Sequence, residues 1–161
     1  MTNQEKEFLR LHVMNGIDYK TISEQMRVPK EILTEWYEKL RPEREEIAKI
    51  KNFWSRKKFT PTFEKFYDWH LLLDRRCEYC GITEEEIEIL INKNSVFTKR
   101  ITTRGKNLEY DRKLPNLEYS QIDNIVLCCY WCNNAKTDEF SYEEFKKVGE
   151  VFAEIWKKRL S

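Results

Sequence analysis

Apolar residues in the first part of the chain recur at helical spacing, in runs that turn residues separate. The first run covers residues 4–15 and ends before Gly16, the residue type that commonly follows a helix. A second run begins at Asp18, and a third follows Pro29, because proline suits the first turn of a helix. A short helix, a turn and a longer helix are typical of a helix-turn-helix unit, with a plain three-helix bundle as the alternative.

Local charge differs between the last two predicted segments of this helical part. The exposed face of the third predicted helix carries Lys30, Glu31, Glu35 and Glu38. That face is acidic for a helix that would lie in a DNA groove. Residues 41–58 have the opposite balance, with four more basic than acidic residues and two aromatic residues among them. Such a segment suits a phosphate backbone, and a solvated connector helix is the alternative.

The end of the basic segment is predicted to contact DNA through Arg56, Lys57 and Lys58. A Phe-Thr-Pro-Thr sequence follows directly and breaks the helical pattern. We therefore expect two domains. The first, residues 1–58, is a helical, helix-turn-helix-like module with a basic connector. The second covers residues 59–161.

Helical patterns also open and close the second domain. Residues 63–76 predict a largely buried helix, and residues 82–90 predict a second helix with Thr83 as its N-cap. Acidic residues fill the first turn of that helix, where the helix dipole favours them. A capping box at Ser141 opens the last helix, whose apolar stripe continues to the end of the sequence.

Strand patterns occupy the middle of the second domain. Residues 95–103 are rich in β-branched side chains and predict a strand, which residues 104–107 would turn back. Residues 108–112 then form the return strand, and residues 125–128 form another short apolar strand. The chain is therefore predicted to be an α+β protein.

Composition narrows the class of protein without identifying it. The net charge of +1 over 161 residues gives no global basic field that would point to nucleic acid. No run approaches the roughly 18 apolar residues of a membrane span, and the first residues lack the apolar segment of a signal peptide. We expect a cytoplasmic protein, in a compartment where paired cysteines more often bind metal than form disulfides.

The cysteines carry the strongest chemical signal in the sequence. Cys77 and Cys80 form one C-x-x-C pair, and Cys129 and Cys132 form a second. Each pair can present two thiolates to one tetrahedral ion, so the two pairs predict a structural Zn²⁺ site with no position open to substrate. The fifth cysteine, Cys128, is predicted to lie in a buried strand.

The residues between and after these pairs resemble the HNH endonucleases, in the branch with zinc knuckles. The resemblance covers roughly residues 75–145. It rests on these segments: Leu108-Glu109-Tyr110-Asp111-Arg112-Lys113, Tyr119-Ser120, Asp123-Asn124-Ile125-Val126-Leu127 and Cys129-x-x-Cys132-Asn133 with Lys136. It implies a ββα-metal unit in a zinc-stabilised domain, hydrolysis of DNA phosphodiester bonds, and DNA as the partner.

The resemblance also implies roles for individual residues. Asp111 and Asn133 would hold a catalytic Mg²⁺ or Mn²⁺, since hard cations prefer oxygen ligands. Such a cation neutralises charge that develops on the phosphate. Asn124 would steady the loop before the second strand. Lys113 and Lys136 would contact the DNA phosphates.

One position departs from the family pattern. HNH enzymes usually carry a histidine directly after the metal-binding aspartate, as the general base, and this chain has Arg112 there. Arginine stays protonated and cannot accept a proton. The two histidines, His12 and His70, lie far from the motif in the sequence. Lys113, Glu109 or a metal-bound water would have to replace the base.

Three hypotheses follow from these patterns. The first is a metal-dependent HNH-type DNA endonuclease, in which the N-terminal helices and the basic segment help to grip DNA. The second is a catalytically degenerate DNA-binding regulator or adaptor, which the arginine at the base position favours. The third is a zinc-stabilised protein-interaction module, which an inward-facing basic segment would favour.

Overall fold

A computed structural model describes residues 1–102 and 104–161. The protein is of the α+β class and mostly helical, with a single two-stranded sheet in the described part of the chain. No helix among the described residues is both long and apolar enough to cross a membrane. The chain forms two compact units, Met1–His70 and Leu71–Ser161.

Local hydrogen bonds and a proline mark the starts of the helices in the first unit. Thr2 and Glu5 form a capping box on the first helix, and Asp18 caps the second by accepting from the amides of Lys20 and Thr21. Pro29 is the N-cap of the third helix, one residue before its first turn. The helices are α1 (Asn3–Leu9, continued by a π-helical turn at Arg10–Met14), α2 (Tyr19–Met26), α3 (Lys30–Lys39), α4 (Arg41–Lys57) and α5 (Phe63–Leu71).

Aromatic side chains link the end of α4 to the start of α5. The indole of Trp54 donates to the carbonyl of Pro61 at 2.9 Å, and the rings of Phe59 and Phe66 lie 4.5 Å apart. These contacts place α5 within the first unit, although its sequence was assigned to the second domain. The domain boundary at 58/59 and a DNA-binding role for α2 and α3 stay predictions.

The second unit contains the two short strands, with helices before and after them. The strands pair antiparallel, with Glu109 opposite Cys128 and Arg112 opposite Ile125. Thr83 and Ser141 cap the helices at which they were predicted, each through a capping box. The elements are α6 (Glu84–Asn92), a 3-10 turn (Lys99–Thr102), β1 (Glu109–Arg112), a 3-10 turn (Ile122–Asn124), β2 (Ile125–Cys128), α7 (Tyr130–Lys136) and α8 (Tyr142–Leu160).

The strand predicted at residues 95–103 was wrong. Its described part contains the 3-10 turn at Lys99–Thr102, and Thr103 lies outside the described residues. The amides of Arg104 and Gly105 both donate to the carbonyl of Arg100, which folds this segment onto itself. Local hydrogen bonds therefore replace the ladder that β-branched residues favoured. The return strand exists as β1, but its partner is β2.

The helix predicted at residues 63–76 ends at Leu71, because the chain turns toward the first cysteine pair after that residue. The order of strand, loop, strand and helix that was predicted for the centre of this unit is present as β1, β2 and α7. Helix α8 packs over this centre through the buried Phe145, Gly149 and Trp156.

Candidate metal centre and catalytic site

Backbone hydrogen bonds shape the first cysteine pair and attach it to the sheet. The amide of Cys77 donates to the carbonyl of Ile82, and the amide of Gly81 donates back to the carbonyl of Cys77, each at 2.8 Å. Gly81 has φ of 74°, which glycine adopts without a steric cost. The amide of Glu78 donates to the carbonyl of Leu127, so the first pair is held beside the end of β2, where the second pair begins.

The four paired thiols form one buried cluster. The sulfur atoms of Cys77, Cys80, Cys129 and Cys132 all lie within 4.8 Å of one another, and none of the four forms a disulfide. The Sγ atoms of Cys80 and Cys129 are 3.7 Å apart. Four thiolates at about 2.3 Å from a tetrahedral ion would lie about 3.8 Å from one another. The cluster therefore has the size and the donor set of a four-thiolate metal site.

The fifth cysteine is separate from this cluster in its chemistry. Cys128 is fully buried at the end of β2, as predicted. Burial raises the pKa of the Cys128 thiol, so the side chain stays protonated. By contrast, hydrogen bonds from the thiols of Cys129, Cys132 and Cys80 lower the pKa of Cys77. The hydrogen bonds from Cys129, Cys77 and Cys80 raise the pKa of Cys132 in the same cluster, so the four thiols share their protons and an ion that binds them displaces those protons.

Asp111 lies on β1 and is held by two buried side chains. Tyr79 donates to Asp111 Oδ2 at 2.7 Å, and Lys136 Nζ lies 3.2 Å from the same oxygen. Burial and the bond to Asp111 raise the pKa of Tyr79, so its phenol remains a donor. Both contacts use Oδ2, which leaves Oδ1 to face another group. Tyr79 lies inside the first C-x-x-C pair, so the metal centre and Asp111 share a supporting residue.

Asn133 lies on α7 and contacts a different acid from Asp111. Its Nδ2 donates to Glu109 Oε2 at 2.5 Å. Glu109 in turn accepts two bonds from the guanidinium of Arg104, at 2.6 and 2.7 Å. Because Asn133 donates to Glu109 through its amide nitrogen, its amide oxygen does not take part in this bond. The structure thus places Asp111 and Asn133 on facing elements, each bonded to its own partner.

Asn124 is buried at the loop that joins the strands. Its side chain accepts from the amide of Leu114 at 2.9 Å and donates to the carbonyl of Leu114 at 3.2 Å. The backbone carbonyl of Asn124 also accepts from the amide of Lys113 at 2.7 Å. These three bonds hold the backbone at Lys113 and Leu114, and the role that the resemblance implied for Asn124 stays a prediction.

Arg112 follows Asp111 and faces the same loop. Its guanidinium donates to Asp138 at 2.7 Å and to the carbonyl of Leu117 at 3.2 Å. It also lies over the ring of Tyr119, 5.0 Å from the centroid. The side chain is 22% exposed. A guanidinium in such surroundings can contact a phosphate but cannot serve as a base.

Lys136 differs from the phosphate-binding role that was predicted for it. The side chain is fully buried, where its ammonium donates to the carbonyl of Arg112 at 2.7 Å and pairs with Asp111. A lysine in this position neutralises the buried carboxylate instead of reaching solvent. The spacing of Lys136 after the second cysteine pair gave no sign of this, because burial is a tertiary property.

The other predicted DNA contacts lie at the surface or close to it. Arg56, Lys57 and Lys58 are exposed at the end of α4, and Lys113 is half-buried after β1. His12 and His70 both belong to the first unit, and the residues of the ββα centre belong to the second. His12 bonds through Nδ1 to the carbonyl of Ile17 at 2.9 Å, and His70 is buried.

Sequence reasoning missed two residues of this centre. Tyr79 supports Asp111 from within the first cysteine pair, and Asp138 holds the Arg112 guanidinium. Both partners are far from their targets in the sequence, and neither residue type at these positions belongs to a motif. The only sequence signal for Asp138 was an acidic residue two positions after Lys136.

No protein-family model matches the sequence, and no curated protein matches it. Among solved structures, the chain is similar to the rare-cutting HNH restriction endonuclease PacI, a protein described for its mechanism of DNA perturbation. The two chains are 26% identical, the match covers 70% of this chain and 77% of that chain, and the TM-score is 0.51. This similarity supports an HNH-like fold and a nuclease-like function.

Proposed function

We propose that the protein is a metal-dependent DNA endonuclease of the HNH type. The observation that carries the proposal is the ββα centre, in which β1 supplies Asp111 and α7 supplies Asn133 beside a four-cysteine cluster. Its likeness to an HNH restriction endonuclease supports the same reading. DNA is accordingly the proposed partner.

The oxygen atoms available in this centre fit a hard divalent cation. Asp111 uses Oδ2 for both of its side-chain contacts, and Asn133 uses Nδ2 for its contact. Asp111 Oδ1 and the amide oxygen of Asn133 would hold Mg²⁺ or Mn²⁺, which prefer such ligands. A cation there would neutralise charge that develops on the phosphodiester oxygens.

The surrounding residues keep these ligands in place. Tyr79 and Lys136 fix the Asp111 carboxylate, and Glu109 fixes the Asn133 amide. A structural Zn²⁺ in the four-cysteine cluster would secure the start of α7, because Cys129 is its N-cap and Cys132 lies within it. Preorganised groups act on the transition state without further ordering.

Arg112 is proposed to bind the scissile phosphate, and proton transfer then needs another group. Glu109 carries a carboxylate close to Asn133, so it is the side chain best placed to accept a proton from the attacking water. The bonds from Arg104 and Asn133 hold this carboxylate in place. Lys113 remains an alternative, and it directly follows Arg112 at the end of β1.

Exposed basic residues outside the centre are proposed to grip the DNA backbone. Arg56, Lys57 and Lys58 end α4, and α2 with α3 would serve as a helix-turn-helix-like module. Phosphate contacts of this kind give affinity without sequence preference.

A second candidate function is a DNA-binding regulator or adaptor with a degenerate HNH fold. Arg112 at the position of the usual base favours it, as does the engagement of Asp111 by a buried ammonium. In such a protein the contacts of Asp111 and Arg112 would serve only to stabilise the fold, and no cation would bind at Asp111.

Incubation of purified protein with supercoiled plasmid separates the two candidates. We expect Mg²⁺ or Mn²⁺ to support conversion to nicked or linear DNA, and a chelator added at the start to prevent it. The zinc content after the reaction serves as the control that the cysteine cluster was retained. If wild type cleaves no DNA form and Arg112→His gains cleavage, the degenerate binder is the correct function, because the histidine restores a base.

A further inference from the structure

The end of α7 and the segment after it contact Arg112 at two points. Lys136 Nζ donates to the backbone carbonyl of Arg112, and Asp138 accepts from its guanidinium, both at 2.7 Å. One bond fixes the strand and the other fixes the end of the side chain. The carbonyl of Leu117 and the ring of Tyr119 contact the guanidinium as well.

The residue between these two contacts has a strained backbone. Thr137 has φ of 53° and ψ of −154°, a region that is nearly reserved for glycine. Residues persist in this region only where the surrounding structure fixes them. The hydroxyl of Thr137 donates to the carbonyl of Lys136 at 2.6 Å and accepts from the amide of Glu139 at 3.3 Å. The strained residue therefore lies between Lys136, which holds the backbone of Arg112, and Asp138, which holds its guanidinium.

The ion pair with Asp138 is too exposed to be explained by stability. The Asp138 side chain is 82% exposed, and exposed ion pairs contribute little to stability. Its larger effect is on the conformational freedom of Arg112, whose long side chain has many rotamers. A guanidinium that is already oriented loses less entropy when it binds a phosphate.

We infer that Asp138 is a positioning residue, which orients the Arg112 guanidinium for the phosphate at the cleavage site. This inference rests on the proposed function for the role of Arg112, and its contact geometry is independent of that function. Asp138 itself touches no substrate. It acts through the 2.7 Å bond to Arg112, opposite the bond that Lys136 makes to the backbone of the same residue.

The variant that tests this inference is Asp138→Ala, with Glu139→Ala as the matched control. Glu139 is the next residue and also exposed, and removing it changes the net charge equally without touching Arg112. The first measurement is the ¹⁵N relaxation of the Arg112 Nε–H group in the free protein. We expect a restrained signal in wild type and in Glu139→Ala, and a mobile one in Asp138→Ala.

The second measurement is single-turnover cleavage at saturating protein, beside the Kd for DNA. We expect Asp138→Ala to slow cleavage about tenfold while the Kd changes less, as misorientation of a catalytic group does. Asp138→Asn should recover part of the rate, because its amide oxygen still accepts from Arg112.

Two results would overturn the inference. The first is an Arg112 signal that is equally restrained in Asp138→Ala, and the second is faster cleavage or tighter DNA binding by that variant, which would mean that Asp138 shields Arg112 from phosphate. If wild type itself does not cleave, the nuclease proposal fails, and the relaxation measurement alone decides whether Asp138 positions Arg112.

Discussion

The buried pair of Lys136 and Asp111 shows how single residues connect the fold to the candidate chemistry. The ammonium is fully buried, and its partners are the Asp111 carboxylate and a backbone carbonyl. Removing one member of such a pair leaves a buried charge without its counter-charge. The same lysine thus stabilises the unit and fixes one oxygen of the proposed metal ligand.

Lys136→Met is therefore expected to destabilise the second unit strongly, by about 3–5 kcal/mol. The measurement is urea unfolding followed by circular dichroism. The matched control is the double variant Lys136→Met with Asp111→Asn, which removes the orphaned charge and should recover part of the loss. If Lys136→Met alone lowers the free energy of unfolding by less than about 1 kcal/mol, the ammonium is solvated and not buried.

Glu5 gives the first unit a dependence on pH. The bond from Lys39 Nζ at 2.7 Å, and then the backbone amide of Thr2, lower the pKa of Glu5 from 4.5 to about 2. Because the folded-state pKa lies below the ordinary value, its contribution to stability is present above about pH 4.5. It is lost as the pH falls from there toward about 2.

Glu5→Gln should consequently destabilise the first unit at pH 7, and the difference from wild type should shrink at pH 3. Urea titrations that follow the methyl NMR signals of Ile22 and Leu33 measure the unit separately. Glu31→Gln, at an exposed position on α3, is the control. A difference that stays constant from pH 7 to pH 3 would contradict the assignment.

At the scale of elements, Gly149 shows how closely α8 packs on the first cysteine pair. A Cβ atom at this position would lie 2.3 Å from the carbonyl oxygen of Tyr79 and 2.6 Å from its carbonyl carbon. Both are backbone atoms that cannot rotate away. The glycine therefore lets α8 lie close to the first cysteine pair. The Tyr79 phenol, which belongs to that pair's segment, contacts Asp111.

Gly149→Ala is expected to destabilise the second unit by about 1–3 kcal/mol through overpacking. Helix propensity alone predicts the opposite, a gain of about 1 kcal/mol. Glu150→Ala, at the exposed neighbouring position, provides the comparison without a clash. Thermal unfolding measures both, and a Gly149→Ala variant more stable than wild type would show that the knuckle yields without cost.

Elements with local signals could be predicted from the sequence, and those that depend on tertiary contacts could not. The caps at Asp18, Thr83 and Ser141 are local hydrogen bonds, so residue type and spacing identify them. The strand predicted at 95–103 failed because β propensity says nothing about a pairing partner. Likewise, the burial of Lys136 depends on a strand that lies 24 residues earlier.

At the scale of the molecule, the chain combines a helical unit with a unit that a metal would stabilise. The thiols of two distant cysteine pairs meet in one buried cluster, which their spacing in the sequence had predicted. The residues proposed for catalysis came from the family resemblance, and the structure adds the groups that support them. The proposed nuclease function therefore requires that Asp111 holds a cation for cleavage.

Single-turnover cleavage of supercoiled plasmid by Asp111→Asn tests that claim most directly. The amide keeps an oxygen that accepts from Tyr79 and Lys136, but it leaves the buried Lys136 ammonium without its counter-charge, so the unfolding of each variant is measured beside its cleavage. Asp123→Asn, an exposed acid in the same unit, is the control. With Mg²⁺, we predict cleavage by wild type and Asp123→Asn, and none by Asp111→Asn with unchanged zinc content and DNA affinity. Cleavage by Asp111→Asn at the wild-type rate would contradict the account.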